Sequence, residues 1–358
     1  MKAIRKCVFC GNKPIDKTTE HVVPLWLIEM TGDPSRIAHF GPIWNEKTKK
    51  LETRQFAFDS LKFPACKDCN STYSKLENQT KLVIAKVLKS EEISITEAST
   101  LLSWFDKIRI GMWLGLNYWR SEVSDIEPHM YVSSRIDMTD RCVLIYYGKS
   151  RKPCLNLIGL QLPAFHYTPC CFSMLVNHVG FFNLAGDFLI SKRLGLPYPK
   201  RISWGNWPEV KYGIVPGKKS IELPLITKTY DNRCIGLYQP IAARYRNDKE
   251  LWKLYSEEYE SNLMLDETRG IGKIFIEMSN QFKEMTINRD ESLVPQFRFD
   301  YKAMVRMLEF QTIDFQLYMH HRSPSEKTLK EPRKSIARMQ RKFSISFARA
   351  VRERLTNK

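Results

Sequence analysis

The sequence predicts an α+β protein with a small cysteine-rich unit at its N-terminus. Two C-x-x-C pairs begin and end this unit, and apolar residues recur at helical spacing over residues 95–120. Between residues 125 and 247, β-branched and aromatic runs alternate with turns marked by Gly and Pro. These patterns predict four units in chain order: a cysteine-rich unit (1–80), a helical connector (81–124), a mixed, β-rich middle domain (125–247) and a basic, helical C-terminal region (248–358).

Shorter segments can be assigned inside these units. Residues 51–63 alternate as in a single β-strand, and a helix is expected from Asn70 to about Lys89. The apolar side of that helix is expected to consist of Leu76, Val83, Ile84 and Val87. Along the next helix and near its end, Trp104, Trp113, Tyr118 and Trp119 form a stripe typical of core packing, with a base-stacking platform as the alternative.

The charge of the chain favours a polyanionic partner. The 358 residues carry a formal net charge of +17, which attracts nucleic acid or an anionic membrane surface through counterion release and long-range attraction. No uninterrupted apolar run reaches the length of about 18 residues that a membrane span needs. The first residues lack the apolar core of a signal peptide, so a cytoplasmic protein is expected.

The last part of the chain concentrates this charge. Residues 321–358 contain 12 Lys and Arg against 3 Glu, a net of +9. Apolar residues recur there at helical spacing: Ile336, Met339, Phe343, Phe347, Val351 and Leu355. The segment is therefore predicted to be a basic amphipathic helix, suited to DNA or RNA, a membrane surface or an acidic partner. An ordinary packed helix with one solvated face is an equal alternative.

The cysteines predict a structural zinc site rather than a disulfide framework. Cys7 and Cys10 form one pair, Cys66 and Cys69 form the other, and 55 residues separate the two pairs. Four thiolates suit zinc, and a small unit with little other core is where zinc contributes most to stability. The other five cysteines show no ligand spacing and are interpreted as small core residues: Cys142, Cys154, Cys170, Cys171 and Cys234.

The residues between and after the cysteine pairs indicate a family. Ten residues after Cys10 begins the segment Glu20-His21-Val22-Val23-Pro24, and Asn70 directly follows the last cysteine at the start of a helix that continues to Leu76-Glu77. This order resembles the zinc-containing HNH (ββα-metal, His-Me finger) endonucleases. The resemblance covers about residues 5–80, less than a quarter of the chain, and implies an N-terminal ββα-metal module.

The resemblance also implies roles for the site residues. His21 is expected to be the general base that activates water, and Glu20 and Asn70 are expected to hold one catalytic Mg²⁺ or Mn²⁺ ion. Asn70 and Glu77 share one face of the expected helix, so Glu77 is expected to assist at the metal or to orient Asn70. The family's supporting residue in the middle of the module is either Asn45 or His39, and the sequence leaves this choice open.

The expected function is metal-dependent hydrolysis of phosphodiester bonds, in DNA rather than RNA, as the nuclease of a bacterial defence or mobile-element system. The alternative is a zinc-ribbon protein that binds nucleic acid without cutting it. A zinc nucleobase deaminase is excluded, because His21 is followed by Val22-Val23 instead of x-Glu and Cys66 is preceded by Ala65 instead of Pro. Residues 125–358 are left open as a surface for a protein partner or a second copy of the chain.

Overall fold

The structure is a computed structural model with helices and strands in alternation along the chain. It describes residues 6–45, 50–60, 62–119, 128, 130–149, 152–160, 165–166, 169–186, 198–199, 214–215, 233–241, 243, 268–278 and 281–322. Four α-helices and fifteen strands lie within these ranges. None of the helices within them is both long and apolar enough to span a lipid bilayer.

The N-terminal unit is built on an antiparallel strand pair followed by a helix. Its elements are β1 (Thr18–His21), α1 (Leu25–Met30), β2 (Ile37–Asn45), β3 (Lys50–Ala57), β4 (Lys62–Ala65) and α2 (Lys67–Lys89). Strand β1 pairs with β4, and the β2–β3 hairpin is inserted between them.

The single strand expected over residues 51–63 is wrong. A short 3-10 helix, Phe58–Ser60, separates β3 from β4, and the two strands pair with different partners. Phe58 is buried at this turn, and the chain then leaves the hairpin so that β4 pairs with β1.

Two long helices follow. Helix α2 runs through residue 80, where the sequence placed a domain boundary, and buries Thr80, Val83, Ile84 and Val87. Helix α3 (Ile95–Trp119) begins with a capping box: Ser94 Oγ accepts from the Glu97 amide (3.2 Å), and the Glu97 carboxylate accepts from the Ser94 amide (2.8 Å). The interpretation of the aromatic stripe as core is confirmed for Trp104 and Trp113, which are fully buried. Tyr118 is half-buried, and the side chain of Trp119 lies outside what the structure describes.

Helix α3 packs directly on the N-terminal unit through two glycines one turn apart. A Cβ atom at Gly111 would lie 2.7 Å from a methyl group of Val22, and one at Gly115 would lie 2.4 Å from the ring of Phe63. Only a hydrogen side chain permits this approach, so α3 is in van der Waals contact with β4 and with the segment that follows β1.

The rest of the described chain forms a seven-stranded antiparallel sheet between two helical layers. The strands are β6 (Arg141–Tyr147), β7 (Leu155–Ile158), β8 (Cys171–Val176), β9 (Val179–Ala185), β12 (Ile235–Gln239), β13 (Phe275–Met278) and β14 (Gln281–Glu284). Their order in the sheet is β14-β13-β12-β6-β9-β8-β7. Two smaller pairs are β5 (Glu92–Ile93) with β15 (Glu291–Ser292), and β10 (Tyr198–Pro199) with β11 (Ile214–Val215).

Both faces of this sheet are buried. On one face, Val143, Ile145 and Tyr147 join the core that contains α3; on the other, Leu144 and Tyr146 join the core under α4 (Tyr301–Arg322). A strand covered on both sides has no polar face, which is why β6 reads as a continuous apolar run.

The structure agrees with only part of what the sequence predicted for the middle domain and the C-terminal region. Most strands of the large sheet lie between residues 125 and 247, but β13 and β14 belong to the region expected to be helical. Helix α4 is one helix of that region, whereas the predicted amphipathic helix, with its apolar residues from Ile336 to Leu355, lies outside the described residues. The four-unit division therefore stays a prediction.

Candidate metal centre and adjoining site

The four cysteines of the two C-x-x-C pairs meet at one point. Their Sγ atoms all lie within 4.8 Å of one another, and Cys10 Sγ is 3.9 Å from Cys66 Sγ. Tetrahedral zinc with Zn–S bonds of about 2.3 Å places its sulfur ligands about 3.8 Å apart. The cluster therefore has the donor type, number and spacing for a metal ion such as zinc, as the sequence predicted.

Local backbone geometry brings the two pairs together. The turn after Cys7 closes with a hydrogen bond from the Gly11 amide to the Cys7 carbonyl (3.0 Å), and Gly11 has a φ of +79°, which favours glycine. Cys66 caps α2, and Cys69 lies in its first turn. The Cys66 amide points at Cys7 Sγ (3.3 Å) and the Ile15 amide at Cys66 Sγ (3.5 Å). Such N–H groups stabilise thiolates.

The thiols oppose one another's ionisation unless a cation is present. Burial and the charge on Cys7 raise the pKa of the Cys69 thiol to about 12. Burial also opposes ionisation of Cys7, but backbone hydrogen bonds from Cys10 and Cys66 lower the pKa of its thiol. A dication at the centre would remove this conflict, because thiolate repulsion is replaced by attraction to the metal.

Strand β1 carries Glu20 and His21 at its C-terminal end, while the start of α2 lies beside its N-terminal end, where Thr18 pairs with Ala65. In the β1–β4 register His21 lies opposite Lys62, whose side chain is exposed. The Asn70 side chain, in the first turn of α2, reaches β1: its Nδ2 donates to Thr18 Oγ1 (3.2 Å) and to the Thr19 carbonyl (3.4 Å). Asn70 therefore contacts the first half of β1, the strand that also carries the acid–His pair.

The environment of His21 gives its imidazole one defined tautomer. His21 Nε2 lies 3.0 Å from the backbone carbonyl oxygen of Asp59. A carbonyl only accepts, so Nε2 carries the hydrogen and Nδ1 keeps its lone pair. Burial, and next the positive charge of Lys62, lower the pKa of His21 below its usual value of 6.5. At neutral pH the ring is therefore uncharged and able to take a proton at Nδ1.

The two glutamates meet a buried lysine. Lys107 of α3 places its Nζ 2.6 Å from Glu20 Oε1, and the same ammonium bonds to Glu77 Oε1. Burial opposes its charge, but the two carboxylates raise the pKa of Lys107, so the ammonium stays protonated. The sequence did not reveal Lys107 as a site residue. The one local feature that points to Lys107 is its position as a charged residue among the apolar residues of α3.

The surroundings of Glu77 differ from those expected from helical spacing. Its carboxylate accepts hydrogen bonds from the indole N–H groups of Trp26 (2.9 Å) and Trp104 (3.1 Å), while the Asn70 amide is turned to β1. The Glu77 side chain therefore points into the interior and is no direct partner of Asn70. The two side chains share a helix face but do not meet, because Trp26, Trp104 and Lys107 from other helices bind the Glu77 carboxylate.

The two candidates for the middle residue, His39 and Asn45, both fall on β2. The register places His39 opposite Gln55 and Asn45 opposite Lys50. Their side chains lie outside what the structure describes, so the choice between them stays open. In the described part of the chain, the group that supports the His21 ring is the backbone carbonyl of Asp59, a contact that no side-chain motif can reveal.

Comparisons of the chain with protein-family models, with characterised proteins and with solved structures gave no match.

Proposed function

We propose that the chain is a metal-dependent endonuclease of the HNH type that hydrolyses phosphodiester bonds of DNA. The observation that carries the proposal is the state of His21: Nε2 is held by the Asp59 carbonyl, which leaves an uncharged ring with Nδ1 able to accept a proton. This base lies at the end of β1, on a strand–strand–helix unit that also carries Glu20 and Asn70.

The chemistry follows from these groups. His21 Nδ1 takes a proton from a water molecule, the water oxygen bonds to phosphorus, and the P–O bond to the leaving oxygen breaks. The Asp59 carbonyl keeps the ring oriented and accepts from Nε2 throughout, which also stabilises the imidazolium that forms.

Glu20 and Asn70 would hold the divalent cation. No described side chain bonds to Glu20 Oε2, and the Asn70 amide offers its oxygen, Oδ1, as a second hard donor. Oxygen donors suit Mg²⁺ or Mn²⁺, which when bound supplies charge stabilisation at the phosphate and the leaving oxygen. The four cysteines would hold a separate, structural zinc ion.

Positive charge beside the base supports a nucleic-acid substrate. Lys62 is exposed and lies directly across the strand pair from His21, where it can contact a backbone phosphate as water attacks. The net charge of +17 favours a polyanion more generally.

Cleavage of supercoiled plasmid DNA by the zinc-loaded protein, with Mg²⁺ or Mn²⁺, tests this function. We expect His21→Ala to reduce the cleavage rate by roughly 10²–10⁴-fold, since general-base catalysis contributes about that much. Asn70→Ala is expected to reduce cleavage as well, whereas Asn78→Ala, which alters an exposed asparagine two turns further along α2, leaves the rate unchanged. Equal zinc contents show that the variants retain the fold around the cysteines.

One result would support the alternative. If the native protein holds zinc and shifts plasmid DNA in a gel but cuts it with neither metal, the chain is a zinc-ribbon protein that binds nucleic acid through its positive charge.

A further inference from the structure

A residue outside the N-terminal unit holds the carboxylate of Glu20. Lys107 lies in the middle of α3, and its Nζ is 2.6 Å from Glu20 Oε1. The Lys107 side chain is 2% exposed and that of Glu20 is 13% exposed, so water competes little for this contact. A lysine buried to this extent contacts no substrate, and its charged group acts on what lies beside it.

The ammonium of Lys107 is held in place by a second carboxylate, that of Glu77. It bonds to Glu77 Oε1, and the Glu77 carboxylate also accepts from the indole N–H groups of Trp26 and Trp104. Both carboxylate oxygens of Glu77 therefore have partners. Each indole belongs to a different helix, so α1, α2 and α3 together determine the position of the lysine.

The contacts of Glu20 are arranged differently from those of Glu77. One oxygen of Glu20, Oε1, accepts from the ammonium, while Oε2 has no side-chain partner among the described residues. The remaining oxygen, Oε2, is a hard donor of the kind that a divalent cation binds. Fixing one oxygen also fixes the direction in which the other points.

We propose that Lys107, braced by Glu77, is a positioning residue that orients Glu20 Oε2 toward a divalent cation, so that the metal site requires α3 as well as residues 1–80. This inference deepens the proposed function and rests on it for the role of Glu20. Glu77 then has an indirect role, because it positions Lys107 instead of acting at the metal.

The test measures Mn²⁺ binding to the zinc-loaded, full-length protein by electron paramagnetic resonance of free Mn²⁺. The native protein is expected to bind one Mn²⁺ that Glu20→Gln abolishes. Lys107→Met is expected to raise the Kd for Mn²⁺ by roughly 10–100-fold, the usual effect of removing a group that orients a metal ligand. Glutamine has nearly the same shape as glutamate, so the Glu77→Gln variant is expected to fold even if Lys107→Met does not. Glu77→Gln is also expected to raise the Kd for Mn²⁺.

A second lysine–glutamate pair between the same two helices supplies the control. Lys86 of α2 lies 2.7 Å from Glu97 of α3, and Lys86→Met removes that ion pair without touching Glu20. Its Kd for Mn²⁺ is expected to equal that of the native protein. An equal loss of binding in Lys86→Met would mean that general destabilisation explains the effect and would overturn the proposal.

Plasmid cleavage by the same samples separates this inference from the proposed function. Native Kd values in both Lys107→Met and Glu77→Gln would overturn the positioning role, even if the native protein cuts DNA. Tighter Mn²⁺ binding by Lys107→Met would overturn it too, because the ammonium would then only repel the cation. The expected changes in Kd with no cleavage by the native protein would retain the positioning role and reject the nuclease.

Discussion

Replacing Cys10 with serine removes one sulfur donor from the cluster and leaves Cys7, Cys66 and Cys69 in place. Structural zinc in small four-ligand sites binds with an apparent free energy of roughly 10–16 kcal/mol at neutral pH. Four donors share that energy here, so one thiolate accounts for about 2.5–4 kcal/mol. We therefore expect Cys10→Ser to weaken zinc binding by about 100- to 1000-fold, since 1.4 kcal/mol corresponds to a factor of ten.

Competition with a chromogenic zinc chelator measures this difference. The chelator concentration that removes half of the zinc should fall by about the same 100- to 1000-fold in Cys10→Ser. Cys154→Ser is the matched control, because Cys154 is also a half-buried cysteine, and its sulfur accepts from the Tyr301 hydroxyl (3.1 Å), a contact that serine can keep. A native protein without bound zinc, or a Cys10→Ser protein that releases zinc like Cys154→Ser, would refute the four-thiolate site.

Three further outcomes are expected. A plot of the logarithm of the DNA association constant against the logarithm of salt concentration should be less steep by about 1 for Lys62→Ala, because one phosphate contact is lost. An unchanged slope in gel shifts would contradict a contact between Lys62 and the DNA backbone. Gly115→Ala should lower the free energy of urea unfolding by about 1 kcal/mol. Crowding of the new methyl group against the Phe63 ring costs about 1–3 kcal/mol, which outweighs the gain of about 1 kcal/mol in helix propensity. A more stable variant would show that α3 and β4 are not in contact at this point. Burial opposes ionisation of Glu97, but hydrogen bonds from Lys86 and Ser94 lower the pKa of its carboxyl in the folded protein. The ionised carboxylate therefore stabilises the fold at pH values above its pKa in the unfolded chain, and this stabilisation is lost as the pH falls through its pKa in the folded protein. The difference in urea stability between the native protein and Glu97→Gln should therefore shrink from about pH 6 to about pH 3, and a constant difference would contradict this.

The elements that the sequence predicted best are those with a strong local signal. The two long helices were expected over residues 70–89 and 95–120, and the structure places them at Lys67–Lys89 and Ile95–Trp119. Helical periodicity repeats over about six turns in each, so a few ambiguous residues do not hide it. The four-cysteine cluster was predicted for a similar reason, because thiolate pairs at this spacing have few other uses in a chain without disulfides.

Shorter strands were harder to predict. The expected strand over residues 51–63 is divided between β3 and β4, because its two halves pair with different strands. The four-residue strands β13 and β14 lie in a region expected to be helical. Strands of this length contain only two residues on each face, so their alternation carries little information. Their place in the sheet depends on the pairing of β13 with β12 and of β14 with β13.

The amino-acid sequence was sufficient to identify the four sulfur donors, the two long helices and the acid–His pair, because these depend on residue type and on neighbours along the chain. The tertiary structure alone decided what surrounds that pair: the Asp59 carbonyl at His21, Lys62 across the strand pair and Lys107 at Glu20. Lys107 is 87 residues from Glu20 along the chain, and they meet only because α3 packs on the N-terminal unit through Gly111 and Gly115. A buried charge takes its role from the groups that share its low-dielectric surroundings, and only the packing of distant segments determines which groups those are.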